Sequence, residues 1–316
     1  MEQEAQVNAR ILTGDCREML RTLEAGSVRT CITSPPYFGL RDYGHDGQIG
    51  LEQTPDDYVK ELVEVFREVR RVLSDDGTLW LSLGDSYAGS GVGGGGNRKG
   101  NENGQHDALK ALGRPPVPTG LKPKDLIGIP WRVAFALQQD GWYLRSDIIW
   151  HKPNPMPESV TDRPTKSHEY LFLLTKSPRY YYDHEAIKEE ALHPNIKHKS
   201  NKKPEGASVA YIGNPPTNLG RAGTSDDGLR NKRDVWTINT KPFKGAHFAV
   251  MPEALVEPCV LAGSAEGDTI LDPFTGSGTV GVVALKHRRN FVGTELNPEY
   301  VEIAEQRLNG VEPRML

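Results

Sequence analysis

The sequence is short of cysteine, of long apolar runs and of surplus charge, and each shortage excludes a class of protein. Its three cysteines, Cys16, Cys31 and Cys259, are scattered through 316 residues. An odd number at wide spacing supplies neither a disulfide framework nor a zinc-ligand set, and it suits a reducing cytoplasm. No apolar stretch approaches the roughly 18 residues that span a bilayer, so no membrane partner is expected. The polar opening "MEQEAQVNAR" has no signal-peptide core. The formal net charge of −4 argues against coating nucleic acid by bulk charge, while leaving a local basic face open. With 37% hydrophobic and 25% charged residues, what is left is a globular chain of one large or two modest domains.

What is present is an alternation of strand and helix patterns. "ARILTGDC" predicts a strand ending at Asp15, "REMLRTLEAGS" a helix, and "VRTCIT" a buried strand that runs into two prolines. "TPDDYVKELVEVFREVRRVLSDDG" predicts an amphipathic helix, with Asp56 and Asp57 in its first turn and Gly77 after its end. "TLWLSLGD" predicts a strand ending in Asp85. This alternation implies an α/β fold with an open, mostly parallel, doubly wound sheet. Residues 86–122, which include "GSGVGGGGNRKG", break the pattern and predict a mobile loop. Helix and strand resume with "DLIGIPWRVAFALQQDG", "YLRSDIIWHKP" and "EYLFLLTKS". From 183 to 239 the composition turns polar, which predicts an inserted region between a first part, 1–182, and a second, 240–316.

The second part holds the most legible βαβ unit, "DTILDPFTGSGTVGVVALKHRRNFVGTEL". One strand ends at Asp272, a helix begins near Thr279, and a second strand ends at Glu295. Gly276, Gly278 and Gly281 match G-x-G-x-x-G, with an acid about 20 residues on. By itself this fits a tight turn without a ligand, or a dinucleotide site. Asp272 weighs against the dinucleotide, because a carboxylate at the mouth of the loop repels a pyrophosphate. It suits a cationic ligand. S-adenosylmethionine carries an ammonium and a sulfonium and no phosphate, and Glu295 can accept from its ribose hydroxyls.

"DPFTGSGT" together with "TSPPY" resembles the DNA amino-methyltransferases that modify an exocyclic nitrogen of cytosine or adenine. The motif order, with the proline turn first, resembles their beta class. The resemblance implies the S-adenosylmethionine-dependent methyltransferase fold with permuted motifs and no metal. Residues 1–182 become the base-flipping and methyl-transfer half, 183–239 the target-recognition region and 240–316 the cofactor-binding half. Cofactor contacts fall to Asp15, Asp272, Pro273, Phe274, Gly276, Gly278, Thr279 and Glu295, and to His247 before the glycine strand, with Met251 beside it. Double-stranded DNA is the implied partner. A homodimer and a cognate restriction endonuclease are carried from the resemblance alone.

The proline turn Ser34-Pro35-Pro36-Tyr37 then has a chemical reading. An exocyclic amine is a poor nucleophile because its lone pair is delocalised into the ring. Acceptors at its hydrogens, Ser34 Oγ and the Pro35 carbonyl, localise that pair, and the prolines add no competing donor. Tyr37, with Phe38, offers a flat face to a base flipped from the duplex. Trp150 and Asn154 are candidates for the base pocket. The basic residues Lys197, Lys199, Lys202, Lys203, Arg221, Arg230, Lys232 and Arg233 fall in the recognition region and are assigned to DNA. Cys259 lies in an apolar helical pattern and reads as core. The Ser-Pro-Pro-Tyr form is the one usually met in cytosine-N4 enzymes. Adenine-N6 methylation, methylation of RNA or a protein amide, a silent DNA-binding module and a dinucleotide oxidoreductase stay open. Glu295→Gln is expected to be mild, since an amide oxygen still accepts from a ribose hydroxyl.

Overall fold

The computed structural model describes residues 7–40, 44–45, 47–89, 117, 120–191, 228–240 and 250–312. The chain divides into two units, one of Met1–Asp183 with Asp234–Leu316, the other of His184–Arg233. Most of the expected Gly-rich loop lies outside the described residues, as do Lys197, Lys199, Lys202, Lys203, Arg221 and His247.

In chain order the elements begin β1 (Ala9–Thr13), α1 (Cys16–Arg21), β2 (Val28–Thr33), α2 (Pro55–Val72) and β3 (Leu73–Leu83). They continue with α3 (Ile129–Gln139), β4 (Tyr143–His151) and β5 (His168–Thr175). The short strands β6 (Glu189–Glu190) and β7 (Leu229–Arg230) form a separate antiparallel pair in the second unit. The larger unit resumes with β8 (Val235–Thr237), α4 (Glu253–Gly263), β9 (Thr269–Asp272), α5 (Thr279–Lys286), β10 (Asn290–Glu295) and α6 (Pro298–Asn309). Its sheet has eight strands in the order β1-β10-β9-β2-β3-β5-β4-β8. The run from β1 to β3 is parallel throughout, β5 is antiparallel to both neighbours, and β4 pairs parallel with β8. The carboxyl ends of β10, β9, β2 and β3 therefore share one edge, where open α/β sheets bind their ligands.

The local sequence explains the elements that frame this edge. On α2, Tyr58, Leu62, Val65, Phe66 and Val69 recur at helical spacing and are fully buried. Thr54 caps the helix by accepting from the Asp57 N–H at 3.1 Å. The helix stops at Val72 rather than running on to Gly77. Leu73 turns extended, is buried and pairs with Val28 of β2, while Ser74, Asp75 and Asp76 are weak helix formers. Sheet pairing wins over one more helical turn. From Gly77 to Leu83, β3 is buried on both faces, as a central strand of such a sheet must be. Cys259 is buried in α4 and its thiol donates to the Leu255 carbonyl, as expected of a core cysteine. No helix among the described residues is long and apolar enough to cross a membrane.

Candidate active site

A cavity of about 200 Å³ opens at the carboxyl edge of the sheet, within the larger unit, and the proline turn and the glycine loop both line it. The two motifs meet because β2 and β9 are neighbours. Thr33, the residue before the proline turn, donates from Oγ1 to Asp272 Oδ1 at 2.7 Å, and the Phe274 N–H donates to the same oxygen at 3.1 Å. Asp272 is 2% exposed. Burial pushes its carboxyl up to about 7, against the pull of those two hydrogen bonds, and the charge of Glu295 adds to the rise. A carboxylate that is costly to ionise when alone is one that a cation would stabilise strongly.

Behind Asp272 the glycine loop turns into α5. Gly278 caps the helix at φ +79°, and a Cβ there would fall 2.9 Å from that of Ala304 on α6. Gly281 packs so closely that an added Cβ would lie 2.7 Å from both Phe291 of β10 and Leu308 of α6. Arg307 braces the loop by donating to Ser277 Oγ at 2.8 Å. Glu295 holds the loop from the next strand. Its Oε2 accepts from the Gly276 N–H at 2.8 Å and its Oε1 from the Asn297 N–H at 2.9 Å. Burial raises the Glu295 carboxyl, against these bonds.

That double role changes the expectation for Glu295→Gln. Both carboxylate oxygens face backbone donors, and an amide has only one acceptor. One N–H is left facing the amide NH2, which costs about 1–3 kcal/mol. The variant should unfold at lower denaturant and bind cofactor more weakly. A denaturant titration beside a cofactor titration checks both.

Asp15 also lines the cavity, and it is a helix cap as well. It accepts from the Arg17 N–H at 2.8 Å and pairs with the Arg17 guanidinium at 2.5 Å. Burial pushes its carboxyl up, but the bonds and charge of Arg17 outweigh this and hold it low. Arg17 reaches on to the Gly47 carbonyl at 3.1 Å. Sequence reasoning passed over this part of the chain: Leu40, His45, Gly47, Gln48 and Ile49 all line the cavity. They have no periodicity to detect, and their only signal is the density of glycines around them. Met251, in the segment before the glycine strand, lines the cavity too.

The proline turn is braced from behind. The Tyr58 hydroxyl donates to the Pro36 carbonyl at 2.7 Å. Tyr37 is half-buried, and its ring lies so close to Gly84 that a Cβ there would fall 2.5 Å from a ring carbon. Its hydroxyl donates to Glu169 Oε2 at 2.9 Å. Burial and the Glu169 charge raise this phenol far above its ordinary range, so it stays neutral. A stacking role leaves that hydroxyl unused, yet it is firmly engaged. Asp85 is structural, accepting from the Gly128 and Ile129 N–H groups at the start of α3.

The other candidates are less central. Trp150 is buried and donates to the Ile238 carbonyl at 2.9 Å, and Asn154 bonds to the Thr240 backbone. Neither is among the residues lining the cavity. In the second unit, Arg230 and Arg233 both donate to Glu189, at 3.0 and 2.7 Å, so part of their charge is spent within the unit. Lys232 lies between them.

The lining tests which ligand fits. Among the described residues it contains Asp15, Asp272 and Glu295, one histidine, and no lysine or arginine. Such a wall repels a pyrophosphate and accepts the cationic S-adenosylmethionine, with backbone close approach at the glycines. No group of three or more His, Cys, Asp or Glu among the described residues is arranged to hold a metal ion.

A family model described as DNA methylase matches residues 28–306. The chain is 52% identical over 309 residues to the type II methyltransferase M.Cfr9I of Citrobacter freundii, covering 98% of this chain and 90% of that protein. It is 50% identical over 302 residues to the type II methyltransferase M.SmaI of Serratia marcescens, covering 95% and 91%. Among solved structures, PvuII DNA methyltransferase (cytosine-N4-specific) superposes with a TM-score of 0.64 at 18% identity, covering 98% of this chain and 89% of that one. A putative DNA modification methylase of Thermus thermophilus, complexed with S-adenosyl-L-methionine, superposes with a TM-score of 0.58 at 23% identity, covering 95% and 93%.

Proposed function

Since the chain belongs to the DNA methylase family that embraces N6- and N4-specific enzymes, we propose that it methylates the exocyclic N4 of a cytosine flipped out of duplex DNA. The observation that carries this reading is the junction of the two motifs in one cavity, with Thr33 tied to Asp272 one residue before Ser34. S-adenosylmethionine supplies a methyl group on a cationic sulfur. Of the three acids that line the cavity, Asp272 would hold that cation, Glu295 would accept from the ribose, and Asp15 would accept from the adenine amino group. Ser34 Oγ and the Pro35 carbonyl accept from the target amine and localise its lone pair. Tyr37, backed by Gly84, offers its other face to the flipped ring. Holding amine and methyl in line supplies much of the acceleration.

The choice of cytosine rests on Ser34. A serine in this turn places no full charge beside the base, and its Ser-Pro-Pro-Tyr form is the usual one in cytosine-N4 enzymes. The PvuII enzyme is itself named as cytosine-N4-specific. We expect N4-methylcytosine in nucleosides digested from duplex DNA after incubation with labelled S-adenosylmethionine. N6-methyladenine as the main product would overturn the base assignment and leave methyl transfer standing.

Residues 184–233 form the compact unit to which we assign target recognition. Lys197, Lys199, Lys202, Lys203 and Lys232 are its phosphate contacts in this reading, with Arg221, Arg230 and Arg233 reading base edges. The salt dependence of DNA binding checks the lysines, since each lost phosphate contact lowers the slope by about 1. A cognate endonuclease completes the proposal, in keeping with relatives named type II methyltransferases, and a homodimer is carried from the family resemblance alone.

A further inference from the structure

Amine methylation leaves a proton to remove. The nitrogen becomes cationic as it bonds to carbon, and a flipped base fills the mouth through which bulk water would take its proton. Nothing in the proline turn can keep that proton, since a hydroxyl and two carbonyls are neutral acceptors only. Asp272 is committed to the cationic end of the methyl donor.

A second carboxylate reaches the turn from behind. The Tyr37 hydroxyl donates to Glu169 Oε2 at 2.9 Å, and Lys152 Nζ lies 2.5 Å from the other oxygen. Each hydroxyl has a single hydrogen. Tyr37 gives its own to Glu169, so Ser34, three residues away in the same turn, can engage the Tyr37 oxygen only as a donor. With Ser34 so turned, both hydrogens point toward Glu169, and the lone pairs of Ser34 Oγ are left for the cavity. This is the polarity that a proton leaving the amine would need.

The sheet builds the connection. Leu83 of β3 sits opposite Tyr170 of β5, which places Gly84 and Glu169 at the next position of that register. With no side chain on Gly84, the Tyr37 ring lies across the strand end and meets the carboxylate. The Lys152 ammonium is fixed in turn, 4.1 Å over the Trp150 ring. The Lys152 and Glu169 side chains are only 16% and 18% exposed, which sets the pair apart from a solvated surface bridge.

Resting on the methyltransferase reading above, we propose that Glu169 is the terminal acceptor of the proton released from the methylated amine, reached through Ser34 and Tyr37. As the N–C bond forms and the S–C bond breaks, one amine proton passes to Ser34 Oγ. The proton of Ser34 passes to the Tyr37 oxygen, and that of Tyr37 to Glu169 Oε2. The sulfonium charge and the carboxylate charge vanish together. A neutral thioether, a neutral product amine and a neutral Glu169 remain, and each hydroxyl keeps one proton. Lys152 balances the carboxylate before the step, and Glu169 is reset by loss of its proton to solvent after product leaves.

Glu169→Gln separates a relay from a scaffold, because its amide oxygen still accepts the Tyr37 hydrogen but cannot take a proton. The single-turnover rate should fall about 10²-fold. S-adenosylmethionine affinity, DNA affinity and the fluorescence of 2-aminopurine beside the target base should stay within about twofold. Tyr37→Phe removes the middle hydroxyl and should give the same loss, and the double variant should lose nothing further. Turnover like wild type in Glu169→Gln, or losses that multiply in the double variant, would overturn the relay. Should Glu169→Gln not fold, Tyr37→Phe decides alone, and an unchanged rate there is equally fatal. A wild-type protein that puts no methyl on duplex DNA overturns the underlying reading, and the relay with it.

Discussion

Ser34→Ala lowers the single-turnover rate of methyl transfer by about 10²–10³ and leaves the dissociation constant for S-adenosylmethionine nearly unchanged. The magnitude is that of losing one oriented partner of a developing charge. Ser34 Oγ meets the amine most strongly as the nitrogen becomes tetrahedral, so its loss is felt in the transition state and hardly in the ground state. Ser34 is half-buried at a turn that Tyr58 already holds through Pro36, so the fold should tolerate alanine well. Rapid-quench kinetics beside a calorimetric cofactor titration separate the two quantities. A defect confined to the Michaelis constant would remove Ser34 from the chemistry.

Asp272→Asn should weaken S-adenosylmethionine binding by about 10- to 150-fold, the equivalent of one charge-assisted bond of roughly 1.5–3 kcal/mol. The ligand-free protein should become more stable at the same time. Asparagine keeps the oxygen that accepts from Thr33 and Phe274, and it removes a buried group whose carboxyl stands at about 7 instead of 3.8. A folded value raised above the unfolded one stabilises fully below about 4, and that contribution fades as pH climbs through about 7. The wild-type apoprotein should therefore gain stability from this group on acidification from pH 8 to 5, and Glu295, shifted in the same direction, adds to the trend. Cofactor affinity should move the other way, falling up to tenfold per unit below about pH 7, because the cation needs the ionised acid. Asp272→Asn should abolish most of both trends. Melts and titrations across that range test them, and an affinity independent of pH would separate Asp272 from the cation.

The features legible from sequence were those with local causes. Asp272 and Glu295 announce themselves as acids at strand ends, Gly278 by the turn it must make, and Ser34 by the prolines beside it. Asp15 was legible as an acid at a strand end, and it proves also to cap the helix that begins at the next residue. The helical pattern of α2 extends past Val72 because local pattern cannot see Val28, which claims Leu73 for the sheet. Residues 44–50 carried no repeat, and only the folded backbone brings His45 and Gln48 to the cavity. Glu169 was invisible for a different reason. It is separated from Tyr37 by 132 positions, and only the antiparallel register of β3 and β5 joins them.

The strand order also bears on how the chain is born. β1 lies at an edge of the sheet with β10 as its single neighbour, Ala9 paired to Phe291. At ~5–20 residues per second, a ribosome needs roughly 15–55 s to make the chain between them. For that interval Ile11 and Leu12 have no sheet to join, and β2 shows an unpaired edge where β9 will dock. An open strand edge of this kind is a template for pairing with other chains. Chaperone supply during translation should therefore govern soluble yield more than the stability of the finished fold does. A message that stops after β5 would leave an aggregating fragment, because the strand that closes the first edge is among the last to be synthesised.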